Sequence, residues 1–79
     1  MRILYVIQVF NGNADWVISD VKSGDPDNKV IARIASQGYS DAVRWNINRP
    51  ARLLLIYKDN DDKTIREEVA CQHSVFKSL

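Results

Sequence analysis

At 79 residues, with 46% hydrophobic and 27% charged residues and a formal net charge of +1, the chain has the make-up of one folded domain near the smallest size that a single hydrophobic core sustains. That balance excludes a disordered chain and argues against the strongly basic footprint of a dedicated nucleic-acid binder. Cys71 is the only cysteine, which rules out an internal disulfide and fits a reducing cytoplasm. The apolar runs Ile3 to Ile7 and Leu53 to Tyr57 fall well short of the ~20 residues of a membrane span, so neither an anchor nor a signal peptide is expected.

Arg2 to Phe10 reads as a strand, β-branched and aromatic throughout, with Ile3, Tyr5, Ile7 and Val9 on one face and Leu4, Val6, Gln8 and Phe10 on the other. Asn11-Gly12-Asn13 tolerates positive φ and predicts a hairpin into a second strand, Trp16 to Val21, with Lys22 to Gly24 as the link that follows. A helix is predicted from Pro26 to Gln37. Asp25 is its capping residue, Pro26 its first position, Asp27 its complement to the N-terminal dipole, and Gly38 its left-handed stop. Val30, Ile31, Ile34 and Ala35 form its apolar stripe, while Lys29, Arg33 and Gln37 recur every four residues on another face.

Between Ala42 and Ile47, Val43, Trp45 and Ile47 alternate with Ala42, Arg44 and Asn46, the pattern of a half-buried strand, with a short helix capped by Ser40 as the competing reading. Asn48 to Ala51 is a turn around Pro50, and Leu53 to Tyr57 is the most apolar strand, expected at the centre of the sheet. After the polar loop Asp59 to Asp62, Thr64 to Cys71 is expected to return as a strand, with Ile65, Val69 and Cys71 on one side. The alternative is a C-terminal helix opened by the capping box Thr64-Ile-Arg-Glu67, its stripe formed by Ile65, Val69, Gln72, Val75, Phe76 and Leu79. The expected fold is α+β: an antiparallel sheet of four to five strands with one helix packed on one face, in the order β-β-α-β-β-β. One helix leaves the second apolar face bare, and either the tail (Val75, Phe76, Leu79) or a second subunit is expected to cover it.

Charge is uneven along the chain. From Ala42 to Lys58 there are four cations, Arg44, Arg49, Arg52 and Lys58, and no acid; from Asp59 to Glu68 there are five acids against Lys63 and Arg66. Arg44, Arg49 and Arg52, interleaved with Trp45 and close to Tyr39, have the composition of nucleic-acid contacts and of protein-interface hot spots alike. They form a surface row if Trp45 packs inward; a solvated strand edge is the plainer reading. Trp16 reads as core or edge packing rather than an anchor. Cys71 and His73, two apart on a strand, share a face, but one thiol and one imidazole without an oxyanion element do not make a catalytic constellation. The acidic loop lacks the Gly and terminal Glu of a calcium loop, the ligands for another metal are missing, and there is no Gly-rich phosphate loop. A non-enzymatic chain without cofactor or metal is therefore expected.

The opening strand Tyr5-Val-Ile-Gln-Val-Phe10, the helix segment Ala32-Arg-Ile-Ala-Ser36, a strand around Val43, Leu55-Ile-Tyr-Lys-Asp59 before an acidic turn, and the closing Val69-Ala-Cys-Gln72 follow one another along the chain. In order and spacing these stretches resemble the small phage-encoded β-α-β-β proteins that include an anti-CRISPR inhibitor of type I surveillance complexes. Arg33 falls where that family carries an arginine, whereas Ala32 stands where it has a lysine; the turn from Asn46 to Ala51 and the seven residues after Gln72 are longer. The resemblance implies a protein-binding inhibitor or accessory factor of phage or mobile-element origin. Its helix cations would compete with nucleic acid for a larger protein or ribonucleoprotein complex in the bacterial cytoplasm. The contact residues that follow are Lys29 and Arg33, with Arg44, Trp45, Arg49 and Arg52 as a second patch. A small nucleic-acid-binding or regulatory protein, using the arginine row, and a structural homodimer are the alternatives.

Overall fold

The computed structural model describes residues 1–12, 15–46 and 48–73. Strand β1 is Arg2–Phe10, as predicted. The hairpin also forms: the Asn11 amide donates to the Asp15 carbonyl at 2.9 Å, and Gly12 sits at φ 87°, a conformation that side-chain-bearing residues rarely adopt. Strand β2 runs Trp16–Gly24, three residues past the expected end, because Lys22 to Gly24 continue the ladder opposite Tyr5, Leu4 and Ile3. After helix α1, Lys29–Trp45, come β3, Ala51–Lys58, and β4, Thr64–His73. The four strands make one antiparallel sheet in the order β2-β1-β3-β4, so β1 and β3 are interior. The expected central position of Leu53 to Tyr57 and the strand reading of Thr64 to Cys71 both hold.

The helix is displaced towards the C-terminus. Asn28, not Asp25, caps it, accepting from the amides of Val30 at 3.0 Å and Ile31 at 3.3 Å. Asp25 instead closes the turn before the helix, its carboxylate accepting from the Asp27 amide and its carbonyl from the Asn28 amide, each at 2.9 Å. Pro26 and Asp27 belong to that turn. Nor does Gly38 stop the helix. A β-carbon there would lie 2.9 Å from Ile7 Cδ1, so glycine lets the helix backbone approach the sheet. The helix continues to Trp45, and residues 42–45 of the expected third strand are its last turn; Ile47 lies outside the described residues. The order is thus β-β-α-β-β. The terminal turn is closed at Asn46, whose backbone amide and side-chain amide both donate to the Ala42 carbonyl, at 3.0 and 2.9 Å.

The core follows from these shifts. Ile3, Tyr5, Ile7 and Val9 of β1, with Ala51 and Leu53 of β3, pack against Ala35 and Ala42 of α1, flanked by Ile31, Ala32, Tyr39 and Val43. Ile31, Ala35, Tyr39 and Ala42 are the working stripe, not the expected one: Val30 and Ile34 remain 63% and 44% exposed. In β4 the expected grouping also fails. Ladder irregularities opposite Leu53/Leu54 and Tyr57/Lys58 set Cys71 against Leu53 and Val69 against Leu54, on opposite faces of the sheet. The tail residues Val75, Phe76 and Leu79 lie outside the described residues.

Burial raises the phenol pKa of Tyr5, helped by Tyr57, and that of Tyr39, helped by Cys71. Each folded-state value lies above the unfolded one. Their stabilising contribution is therefore complete below the unfolded tyrosine pKa and is lost as the pH rises through the folded value. Denaturant midpoints are expected to decline above pH ~10, and Tyr39→Phe to flatten that decline; an unchanged alkaline slope would rule out Tyr39 as a contributor.

Candidate contact surface

Lys29, Arg33 and Arg44 are exposed on the side of α1 turned away from the core stripe. At 100° per residue Arg33 and Arg44 are three turns apart on nearly the same line, about 16 Å along the axis, with Lys29 one turn before Arg33. Trp45, one residue on and about 100° around the helix from that line, is 81% exposed and lies beside Arg49, also exposed. Trp45, Asn46, Asn48 and Arg49 line a shallow depression of about 360 Å³. This corner is tied to the helix end and to the sheet on either side of Arg49: the Arg49 amide donates to the carbonyl of the helix-capping Asn46 and the Phe10 amide to the Pro50 carbonyl, each at 2.9 Å.

None of these four cations has a carboxylate within ion-pair distance among the described residues. The ion pairs lie elsewhere, Arg2 with Asp62, Lys22 with Asp20 at 3.4 Å and Arg66 with Glu68 at 3.7 Å. The acidic loop is largely self-contained: the Asp59 carboxylate accepts from the amides of Asp61 and Lys63, both at 2.9 Å, while the N-terminal ammonium reaches Asn60 Oδ1 at 3.1 Å. Asp41, on α1 one turn before Arg44, accepts from the Gln37 side-chain amide at 3.3 Å rather than pairing with Arg44.

Two expectations for this surface fail. Trp45 does not pack inward, because the segment is helical and Trp45 falls off the core stripe. Arg52 is not a neighbour of Arg44 and Arg49. It pairs with Gln8 across β1 and β3, on the sheet face opposite the helix, where its Nε donates to Gln8 Oε1 at 2.6 Å. Its guanidinium lies 4.2 Å from the Trp16 ring centroid, and Trp16 meets Phe10 edge-on at 5.4 Å. Trp16 therefore packs at the sheet surface.

A second cluster escaped the sequence reading. Arg66 lies 4.2 Å from the centroid of the Tyr57 ring, whose hydroxyl donates to Glu68 Oε1 at 3.0 Å. The signal for it was the β3–β4 register, which no single stretch carries. Cys71 is exposed, and among the described residues no three His, Cys, Asp or Glu side chains group to hold a metal. No described helix is long and apolar enough to cross a membrane. No known family model matches the chain, and neither a curated protein nor a solved structure is significantly similar to it.

Proposed function

We infer that this chain acts by contact, as an inhibitor or accessory factor that occludes a surface on a larger protein or ribonucleoprotein complex. The reading rests on one observation: among the described residues Lys29, Arg33, Arg44 and Arg49 form no ion pair, and they run along α1 to the loop that ends it, where Trp45 is exposed beside Arg49. Arginine and tryptophan are the residues that most often dominate interfaces, and cations without internal partners are free to meet an acidic or phosphate-lined surface. The resemblance noted above gives the inhibitor a specific form, interference with a type I CRISPR surveillance complex.

Affinity capture of the tagged chain from a bacterial lysate, with and without nuclease, tests this. The expected result is a stoichiometric multi-subunit partner that survives nuclease. Capture lost on nuclease treatment would replace the proposal with direct nucleic-acid binding, whose affinity would fall steeply with salt as counterions are released. For the specific form, expression in cells with an active type I system is expected to restore the plating of a targeted phage.

A further inference from the structure

The sheet face opposite α1 carries no covering element among the described residues. Read across the strands in register, its middle row is Val21, Val6, Leu54 and Val69, apolar on all four strands. The rows on either side are Ile18, Gln8, Arg52 and Gln72 towards one end, and Ser23, Leu4, Ile56 and Glu67 towards the other. Beyond them lie Trp16 with Phe10, and Arg2 with Lys58. Val21, Val69 and Ile18, on the outer strands, are 43%, 47% and 58% exposed, whereas Val6 on interior strand β1 is already buried, 4% exposed.

We propose that this face is the interface of a twofold homodimer in which two sheets pack face to face, the dyad running along the Val21–Val6–Leu54–Val69 row. Three observations support a second copy as the occupant. The sheet edges are closed to strand addition: β2 skips Ser19 in its pairing and carries the Asp20–Lys22 ion pair, while β4 has two ladder irregularities and the charged run Arg66-Glu67-Glu68. Self-association is directed to the face instead.

The charge pattern is self-complementary about that row. In a twofold interface each residue on the axis meets its own copy, so a charge there would face its like; the row has none. Rotation about it brings the two flanking rows together, placing Glu67 of one copy over Gln72 of the other, one strand from Arg52, and Arg2 over the aromatic Phe10. A dyad along the strands would instead set Arg2 against Lys58. The strands of the two sheets remain aligned, as in sandwich packing.

The area also suffices. Four strands at ~4.8 Å spacing and five rows at ~6.7 Å give a flat footprint of about 500 Å². Two partners then bury about 1,000 Å² before side-chain relief is counted, the threshold of a specific interface. The helices end up outside, with both cation lines exposed, so the dimer does not depend on the proposed function.

Sedimentation equilibrium of the full chain from about 1 to about 200 μM is expected to show a concentration-dependent dimer. Val69 is surface-exposed, so Val69→Glu and Val69→Lys should each fold, checked by circular dichroism, yet dimerise at least ~100-fold more weakly. An equimolar mixture of the two should regain the dimer, because residue 69 faces its own copy. A wild-type chain monomeric throughout, single variants that stay dimeric, or a mixture that stays monomeric would each overturn the proposal.

Discussion

Truncating Ile7 to alanine is expected to lower the unfolding free energy by about 3 to 5 kcal/mol, the upper part of the range for large-to-small core changes. For a chain of this length, total stability is on the order of 4–12 kcal/mol, so the variant should unfold at a fraction of the wild-type denaturant concentration. Among the described residues Ile7 is the largest fully buried side chain, 1% exposed, on an interior strand beneath the helix. Gly38 lies directly over the Ile7 side chain, a β-carbon there falling 2.9 Å from Cδ1, so the truncation opens its cavity at the helix–sheet contact itself. Gly38→Ala isolates that approach. In isolation the exchange favours a helix by about 1 kcal/mol, but here the new methyl group would meet Ile7 Cδ1 at 2.9 Å, so a net loss is expected. Ile7→Val removes that δ-carbon. The double variant Ile7→Val with Gly38→Ala should be more stable than the sum of the single changes predicts, with a coupling of about 1 kcal/mol or more in a denaturation cycle. Additive changes would show that Gly38 is not held to the sheet by Ile7.

That contact also explains why the helix was only partly legible in the sequence. Gly38 carries a strong local stop signal, and only the tertiary fit against Ile7 shows that it is there for its missing side chain. The same holds at the start. Asp25, Pro26, Asp27 and Asn28 all carry helix-opening signals, and the choice among them falls to the turn that Asp25 closes through Asp27 and Asn28. From Ala42 to Trp45 a short window allows either periodicity; it is helical because Ala42 and Val43 extend the stripe begun at Ile31. β1 was readable throughout, since its residues favour extended structure and both faces are apolar. The candidate surface was legible where the helix was: Lys29 and Arg33 share a side by spacing alone. Whether Arg52 joined them depended on which face of β3 it took in pairing with Gln8, a matter of register.

The separation of Arg33 from Arg52 by the thickness of the sheet sets up the most direct test of the contact surface. Arg33→Glu is expected to weaken binding to the captured partner at least ~tenfold, a cost of about 1.4 kcal/mol, because an uncompensated cation is replaced by a charge that the partner surface repels. Its effect on folding should stay within about 0.5 kcal/mol, since Arg33 is exposed, has no ion pair among the described residues and lies too far from either helix end to feel the dipole strongly. Adding Arg44→Glu should deepen the loss to ~100-fold, with a larger stability cost because Arg44 lies in the last turn, where a cation is favoured. Arg52→Gln, on the other face, should leave partner affinity within about twofold. Titration calorimetry across a range of salt separates the outcomes. Sensitivity at Arg33 and Arg44 with indifference at Arg52 places the contact on the helix, whereas the reverse order would move it to the open sheet face and remove α1 from the interface.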